Sequence, residues 1–548
     1  MTEDLVAAAC LVWYIFILLV CAIGIFQIRT NYAGNPPRPI SSNLPVASIP
    51  HVTIIRPVKG IEPRMYDCLA STFQQNYHSS KLTIFFCVSS RDDPALPILE
   101  RLLANFPTFD AEILVEEEDP NLSGRTGSTH NLGPNPKIRN MSRAYREAKG
   151  DMIWIIDCNV WVDQSVAGRL VDLLCGFTPS GFGRKYKFVH QLPLAVDISD
   201  APEPNPQADV VISGNPTKRT DTRGQNSVFS CLGGRLEEMF LSTSHAKFYT
   251  AISAVAVAPC IVGKSNMFRR SHLNALTESD SYRDPGIDYF SENICEDHLI
   301  GDLLWKRPVP ERIRIAASRE GQTTDSPTAH HPRQVKWSNH GLLTQSLAVQ
   351  PTCRLPLNAY LARRTRWLRV RKFTVVLATF VEHGTESLFC SAYGAFGLTT
   401  LPWCNETLGI PRTWVAFFIL WLSSVAVWCA VDSQVWQLLQ SNGVLDASGD
   451  LASWVRRKRK PRRTDWVFAW VAREIFAFPI WLWAVLGGVT VVWRGRRFWV
   501  GMDMKVHEID ATGTESNEDM GIPSNFEVRS NGFSLRGGAV LPGKSRVD

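Results

Sequence analysis

An uncharged apolar run from Leu5 to Ile28 constrains the fold of this chain more than any other feature. A helix of about 20 apolar residues crosses the hydrocarbon layer of a bilayer, so this run is long enough to span it. No basic segment precedes the run and no small-residue cleavage site ends it, which predicts a retained signal anchor. Glu3 and Asp4 come before it and Arg29 follows it, which favours a luminal N-terminus and a cytosolic continuation.

Short apolar segments alternate with amphipathic ones between Pro50 and about Ser165. Strands are predicted at 51–57, 82–90, 111–117 and 151–157, and helices at 62–75, 94–105 and 140–150. Strands that are apolar throughout and separated by helices indicate a parallel sheet covered on both faces. We therefore expect a parallel-rich α/β domain at 50–372, with its ligands beyond the carboxyl ends of the strands.

A second membrane region is predicted after Lys372, at 373–497, with two to three spans or a re-entrant segment. The apolar stretches are 373–400, 413–432 and 466–493. Charges inside the first and last of them, such as Glu382 and Arg473, favour a partly interfacial position. Basic clusters of the kind that mark cytoplasmic ends of spans lie at 363–372, 456–463 and 494–497.

The remaining stretches and the overall composition restrict the function classes. The polar stretches 199–228 and 318–333 are predicted to be flexible insertions, and 509–548 a disordered tail. A net charge of +6, from 58 Lys plus Arg against 52 Asp plus Glu, is too small to imply a nucleic-acid partner. The 13 cysteines show no C-x-x-C spacing, which argues against a zinc ribbon or a disulfide framework and favours a reducing compartment.

Acidic residues follow two predicted strands at their carboxyl ends. Asp92 and Asp93 come after one strand, and Asp157 with Asn159 after another. Hard oxygen ligands at such a position suit Mg²⁺ or Mn²⁺, which in turn binds a diphosphate. Acidic residues also commonly cap the helix after a strand, so each position alone supports either interpretation.

A third acidic pair, Glu296 and Asp297, leads into an amphipathic stretch. The pair is either a favourable charge at a helix N-terminus or contains a general base. Further on, the segment "RRTRW" contains R-x-x-R-W. Two strand-end carboxylates, E-D and R-x-x-R-W in this order form a combination that is far less probable by chance than any one of them.

This combination resembles the ceramide glucosyltransferases, membrane enzymes that move glucose from UDP-glucose to ceramide. The resemblance rests on "RPVKGIEP" (56–63), "DDPA" (92–95), "NPKIRN" (135–140), "AKGDMIWIIDCN" (148–159), "VHQLP" (189–193), "TSHAKFY" (243–249), "CEDHL" (295–299), "RRTRW" (363–367) and "AWVAREI" (469–475). It implies a GT-A type nucleotide-sugar domain on the cytosolic side of the Golgi or ER membrane. It also implies UDP-glucose as donor, ceramide as acceptor and inversion at the anomeric carbon.

The resemblance also assigns roles to individual residues. Donor binding is expected of Asp93, Lys137, Asp157 and His245, and catalysis of Asp297 as the base together with Arg363, Arg366 and Trp367. Cys260 matches a position linked to donor binding or inhibitor sensitivity, although a core cysteine is an equal alternative.

The second acidic motif departs from the family pattern, because it is D-C-N and not D-x-D. Asp157 and Asn159 would therefore hold a Mg²⁺ or Mn²⁺ ion with one carboxylate. Such an ion would be weakly held or would need a ligand from elsewhere, for which His190 is a candidate.

Helical spacing divides the basic segment at 363–372 into two groups. Arg363, Arg366 and Trp367 share one face and are expected to close the donor pocket. Further along the segment, Arg369, Arg371 and Lys372 are expected to form a solvated collar at anionic lipid headgroups.

Three other functions stay open at this point. A processive polysaccharide synthase shares these motifs but needs more spans to line a polymer channel. A different lipid acceptor is also compatible with the pattern. An inactive membrane scaffold would be expected to lose acidic positions freely, and here all of them are present.

Overall fold

The structure is a computed structural model that describes residues 2–122, 132–199, 232–278, 283–318, 336–445, 454–455 and 462–509. The predicted flexible insertions and the predicted tail therefore lie outside the described residues, apart from their first residues. So does most of the basic cluster 456–463. The chain up to Glu508 forms one compact unit.

A seven-stranded sheet in the order β3-β2-β1-β4-β8-β7-β9 forms the core of the α/β domain. Its strands are β1 Val52–Pro57, β2 Leu82–Val88, β3 Asp110–Val115, β4 Met152–Ile156, β7 Lys185–Asp197, β8 Ser265–Arg269 and β9 Trp337–Thr352, and a two-stranded ribbon comprises β5 Phe177–Thr178 and β6 Gly181–Phe182. All strands run parallel except β8, which is antiparallel to both β4 and β7. The predicted parallel-rich GT-A type fold is thus confirmed.

Helices cover the two faces of this sheet and lead to its carboxyl edge. They are α2 Met65–Ala70, α3 Leu96–Asn105, α4 Pro136–Arg146, α5 Val166–Cys175, α6 Leu232–Ser242, α7 Ser244–Val255, α8 Arg270–Thr277, α9 Glu296–Lys306, α10 Glu311–Ser318 and α11 Leu357–Arg371. β1, β2 and β4 are buried along their whole length, as strands between two helical layers must be. The helix predicted at 62–75 is shorter, and the one predicted at 140–150 begins earlier, because Asn135 caps it.

Three described helices are long and apolar enough to cross a membrane. These are α1 Thr2–Tyr32, α15 Trp414–Leu439 and α17 Arg463–Leu486. Together with four shorter helices they form the membrane part. The shorter ones are α12 Val376–Val381, α13 Ser387–Thr400, α14 Pro402–Leu408 and α16 Asn442–Leu445. The stretch predicted as one span at 373–400 is broken by a 3₁₀ turn at Glu382–Thr385, where the charges noted in the sequence lie.

The helices α1 and α15 run in the same direction. Glu3 at the start of α1 pairs with Arg412 just before α15, at 2.5 Å. At their other ends, Tyr32 and Leu439 are buried in one cluster with residues of β7 and β9. Both helices therefore join the α/β domain by their carboxyl ends, and α13 packs between them.

The helix α17 is tied to the α/β domain at both ends. Before it, Trp454 and Val455 are buried in the same cluster as Leu192 of β7. Along its length it packs mainly against α6 and α11. After it, the chain continues directly into a three-stranded sheet that contacts the α/β domain.

This small sheet consists of β10 Thr490–Trp493, β11 Arg496–Val500 and β12 Val506–Glu508. The backbone N–H of Val506 donates to the carbonyl of Glu292 at 2.8 Å, and the sheet buries Ile294. The basic cluster at 494–497 therefore forms a hairpin turn beside the α/β domain. Its expected position at the cytoplasmic end of a span stays a prediction.

The expected solvated collar at the end of α11 is wrong. Arg369 is 9% exposed, and its guanidinium donates to the carbonyls of Gly487 and Thr490, each at 2.8 Å. Lys372 donates to the carbonyl of Val485, and Arg371 pairs with Glu382. Arg369 and Lys372 thus satisfy carbonyls at the end of α17, which have no partner within that helix, and Arg369 also binds a carbonyl of β10.

Candidate functional site

The antiparallel strand β8 brings a lysine to the end of β4. Ile156 lies opposite Ser265, and because the two strands are antiparallel, Asp157 lies opposite Lys264. Asp157 consequently donates its N–H to the Lys264 carbonyl, and the Lys264 ammonium lies 3.0 Å from the Asp157 carboxylate. It also donates to Asn159 Oδ1 at 3.3 Å.

A second lysine reaches Asp157 from the start of α4. Lys137 Nζ lies 3.2 Å from Asp157 Oδ1 and 3.2 Å from Glu296 Oε1. Asn135 fixes this position, because its side chain accepts from the backbone N–H of Lys137 and donates to Glu296. Lys137 thus links Asp157 at the strand edge to Glu296 in the first turn of α9.

Electrostatics at Asp157 keep its carboxylate ionised. Burial alone would raise its pKa, but the ammonium groups of Lys137 and Lys264 outweigh burial and hold the pKa well below the usual range. The carboxylate therefore carries its charge at any physiological pH.

Asp297 also lies near Lys137 and has the opposite character to Asp157. A Cβ at Gly263 would lie 2.7 Å from Asp297 Oδ2, so only glycine leaves space for this carboxylate. Burial raises the pKa of Asp297, and the Lys137 ammonium offsets part of that rise. A carboxylate with a raised pKa beside an open backbone position is suited to accept a proton.

The predicted R-x-x-R-W residues lie on α11 at the carboxyl edge of the sheet. Arg363 is neutralised by the fully buried Glu237 at 3.3 Å, and donates to Gln350 at 3.1 Å. Its guanidinium lies 5.2 Å from the centre of the Trp367 ring. Arg366 makes no hydrogen bond or ion pair with any residue that the structure describes.

The positive charge of Arg366 is not compensated by an ion pair with any described residue. Burial, followed by the like charge of Arg363, lowers its pKa to about 10, while Asp157 acts in the opposite direction. It remains protonated at neutral pH. Arg366 is therefore a cation near Asp157 that is available to an anionic ligand.

Asp93 holds a loop of the strand edge together. Its carboxylate accepts from the backbone N–H of Gly60, at 3.0 and 3.2 Å, and from that of Ala95, at 3.0 Å. Asp93 thus binds loop backbone and does not cap α3, whose N-cap is Ala95, while Asp92 is exposed. The expected role of Asp93 in donor binding stays a prediction.

His245 lies on α7, away from the lysine pair. Its ring stacks on Tyr249 at 5.2 Å and lies 5.5 Å from Phe240, and its Nδ1 is buried without a hydrogen-bond partner in the described chain. Burial, with help from Arg364 and Arg371, lowers its pKa to about 3, so the ring is neutral. No contact with Asp157 supports its expected role in donor binding, which stays a prediction.

Two further expectations concern His190 and Cys260. His190 Nδ1 is 2.5 Å from the Tyr249 hydroxyl, and its ring lies against Phe188 and His340. The structure therefore does not bring His190 to Asp157 as a metal ligand. Burial raises the pKa of Cys260 to about 12, as expected of a core cysteine.

The residues at Asp157 do not fit a protein-held divalent cation. Both Asp157 oxygens face ammonium groups, and Asn159 Oδ1 accepts from Lys264. The described residues contain no group of three or more His, Cys, Asp or Glu side chains that could hold a metal ion. Positive charge at this edge comes from Lys137 and Lys264, and not from a metal ion held by Asp157 and Asn159.

Lys264 was missed from the sequence, because nothing in "IVGKSNMF" marks the following strand as antiparallel. Only the pairing of β8 with β4 places it opposite Asp157. Glu237 and Gln350, which orient Arg363, were missed for the same reason, since they are polar residues whose partners are distant in sequence.

Comparison with known proteins gives a family and close relatives. Residues 12–199 and 339–506 match the family described as Glycosyl transferase family 21. The chain is 46% identical to a ceramide glucosyltransferase of Pyricularia oryzae, over 94% of this chain and 97% of that one. It is 40% identical to a ceramide glucosyltransferase of Gibberella zeae, over 94% and 96%. Among solved structures, a mannosyltransferase from Pyrobaculum calidifontis matches at 14% identity and a TM-score of 0.35, over 88% of this chain and 99% of that chain.

The lysine pair generates a prediction that uses UDP as the probe. Lys264→Met should weaken UDP binding about tenfold or more, because a hydrogen bond to a charged group contributes about 1.5–3 kcal/mol. UDP affinity of the unaltered protein should be the same in EDTA and in Mg²⁺. Isothermal titration calorimetry on the purified chain measures both quantities.

The matched control is Lys149→Met, which removes an exposed lysine paired with Asp110 at 2.6 Å. It should leave UDP binding unchanged. If Mg²⁺ instead tightens UDP binding and Asp157→Ala abolishes that gain, the cation is held by Asp157 and the expectation is wrong.

Proposed function

The chain belongs to glycosyl transferase family 21, and from this membership we propose that it transfers glucose from UDP-glucose to the primary hydroxyl of ceramide, with inversion. The product is glucosylceramide. One observation carries the proposal: a carboxylate with a raised pKa, Asp297, lies beside a strand edge where Lys137 and Lys264 present ammonium groups. A base next to an anion site is what attack by a hydroxyl on a nucleotide sugar requires.

The donor side of the reaction uses the cations at the strand edge. As the bond between the anomeric carbon and the diphosphate oxygen breaks, negative charge grows on UDP. Lys137, Lys264 and Arg366 face that charge and stabilise it more than they stabilise the bound donor. Arg366 suits this role because its planar fork donates to two phosphate oxygens.

The acceptor side uses Asp297. It takes the proton of the acceptor hydroxyl while the hydroxyl oxygen forms the new bond to the anomeric carbon on the face opposite UDP. Burial raises the pKa of Asp297, so kcat/KM should fall as pH decreases through that raised value and the carboxylate is protonated.

Asp297→Asn tests the role of the base. It should reduce formation of labelled glucosylceramide from UDP-glucose about 10²–10⁴-fold, the usual effect of losing a general base, and leave UDP affinity nearly intact. Asp302→Asn is the matched control, because Asp302 lies on the same helix and pairs with Lys306 at 2.8 Å. Unchanged turnover in Asp297→Asn would exclude Asp297 as the base.

A small cavity of about 20 Å³ lies between the α/β domain and the membrane helices. It has room for one water molecule, so we propose it as a contact point for the head of the lipid acceptor and not as a pocket for the whole lipid. Phe240 of α6, Arg364 of α11, Glu382 and Ala477 of α17 are among its lining residues. Arg364 stacks over the Phe240 ring, 3.4 Å from its centre, and lies 3.4 Å from Glu382. Aromatic and charged groups together suit a lipid whose head carries amide and hydroxyl groups.

A row of packed aromatic rings connects the wall of this cavity with the surroundings of Gly263. Phe240 contacts His245, His245 stacks on Tyr249, and Tyr249 packs in one cluster with Val262, next to Gly263. We therefore assign His245 to the acceptor side and not to the donor side.

Ala477→Phe tests the acceptor cavity by filling it. KM for ceramide should rise, while KM for UDP-glucose and the affinity for UDP stay unchanged, because the substitution is remote from the lysine pair. The matched control is Ile475→Phe on the same helix, where the side chain is 55% exposed and points outward. Equal effects of the two substitutions, or a change in UDP affinity, would contradict this placement.

The membrane arrangement follows from how the helices join the α/β domain. We propose that this domain faces the cytosol of the Golgi or ER, with the N-terminus of α1 in the lumen. The broken segment α12–α13 and the helix α15 then cross in opposite directions. The helix α17 lies along the bilayer surface, because both of its ends contact the α/β domain and a crossing would separate them by about 30 Å.

The outward face of α17 supports this position. Its exposed side chains are largely apolar, namely Val467, Phe468, Val471, Ile475, Leu482, Trp483 and Leu486. Arg473 and Glu474 point inward and are buried, and Arg473 pairs with Glu386 at 2.8 Å. One apolar face and one polar face are typical of a helix that lies in the membrane interface.

An epitope tag after Asp548 tests this topology. In sealed microsomes, protease added outside should remove the C-terminal tag without detergent, and a tag before Thr2 should stay protected until detergent is added. If the C-terminal tag is protected as well, α17 crosses the membrane and the proposed surface position is wrong.

A further inference from the structure

The turn between β10 and β11 has an unusual composition. Arg494 and Gly495 occupy its two central positions, with φ of 50° and 83°, between the paired residues Trp493 and Arg496. Two-residue hairpins need positive φ at both positions and strongly prefer Asn-Gly or Asp-Gly there. An arginine at the first position is disfavoured by its Cβ, and strained residues of this kind cluster at functional sites.

The small sheet holds this turn over the carboxyl edge of the large sheet. β12 is bound to Glu292, and the sheet buries Ile294, shortly before Glu296 and Asp297. On its other side Arg369 of α11 donates to the carbonyl of Thr490 in β10. The turn is therefore fixed between the first turn of α9 and the helix that carries Arg366.

The neighbours of the Arg494 guanidinium come from the ends of three parallel strands. Its charge acts on Cys87 at the end of β2, on Glu116 after β3, on Cys158 next to Asp157, and on Arg366. In such sheets this edge is where ligands bind.

Arg494 also forms no ion pair with any described residue, although its charge acts on Glu116, whose carboxylate pairs with Arg139. Arg494 lies over the ring of its neighbour Trp493, at 5.9 Å, and makes no hydrogen bond with any residue in the described part of the chain. Other arginines nearby are neutralised: Arg496 pairs with Glu508, and Arg363 with Glu237. Among the described residues, Arg494 and Arg366 are thus two cations without ion pairs near the same strand edge, and an anion between them would relieve their repulsion.

We propose that Arg494 binds the diphosphate of the nucleotide donor, opposite Arg366 and the lysine pair. The C-terminal hairpin then forms one wall of the donor site. This inference deepens the proposed function and rests on it, since it names a further binding residue of the same site. It also requires the chain after α17 to lie on the side of the α/β domain.

The test compares nucleotide affinities of the full-length purified chain by calorimetry. Arg494→Gln should weaken UDP binding about tenfold or more, as expected for loss of a hydrogen bond to a charged group, and leave uridine binding unchanged. The matched control is Arg497→Gln, which removes an exposed arginine of the same hairpin and should leave UDP affinity unchanged.

A second variant separates ligand binding from a role in the turn. Arg494→Gly should bind UDP as weakly as Arg494→Gln, while its thermal unfolding temperature should stay the same or rise, because glycine adopts positive φ without strain. UDP affinity unchanged in Arg494→Gln would overturn the inference and leave the proposed function intact.

The donor class is tested in the same experiment with ADP and GDP. If the unaltered chain prefers one of these to UDP, the proposed donor is wrong, and Arg494→Gln should still weaken the preferred nucleotide. If neither Arg494→Gln nor Arg494→Gly weakens any nucleoside diphosphate, the hairpin turn does not contribute to the site.

Discussion

The buried ion pair between Lys247 and Asp432 joins the membrane helices to the α/β domain, and the geometry of the whole site depends on it. Both side chains are 1% exposed. Lys247 belongs to α7 and Asp432 to α15, and Trp470 of α17 donates to the same carboxylate at 2.9 Å. At Gly24 of α1 a Cβ would lie 2.1 Å from the Lys247 carbonyl, so α1 meets them at a backbone contact. Loss of one partner would leave an uncompensated buried charge, which costs about 3–5 kcal/mol.

This junction matters because the site must serve two ligands of opposite character at one edge of one sheet. A nucleotide sugar approaches from water, whereas ceramide stays in the bilayer. Asp157 holds Lys137 and Lys264 in place before any ligand arrives, so the cations need no reorganisation when charge develops on the leaving diphosphate. Glu296 balances Lys137 from the other side. The site without ligand is therefore an ordered set of opposite charges. In the proposed reaction, the bound diphosphate takes the place of carboxylates as the partner of the lysine ammonium groups.

The sequence predicted the parts of this arrangement that depend on local pattern. Alternating apolar strands and amphipathic helices located β1 to β4, and carboxylates after strands located Asp157 at the correct edge. Features that depend on long-range pairing escaped prediction. Lys264 reaches Asp157 only because β8 runs antiparallel to β4, and a single strand carries no mark of its direction. Arg369 and Lys372 were taken for a solvated collar, since charge next to an apolar run is typical of membrane ends, whereas they satisfy carbonyls of α17 and β10.

The helix α11 explains why donor and acceptor sites can be adjacent without mixing. Successive residues of a helix are rotated by about 100°, as 3.6 residues make one turn, so Arg363 and Arg364 point to different neighbours. Arg363 contacts Glu237 and Gln350, on the face of α11 that also carries Arg366. Arg364 contacts Phe240 and Glu382 at the proposed contact point for the lipid. At its end, Arg369 bonds both α17 and β10. The helix α11 thus contacts the strand edge, the cavity beside Phe240, α17 and the C-terminal hairpin, and any displacement of it would move the walls of the proposed donor and acceptor sites together.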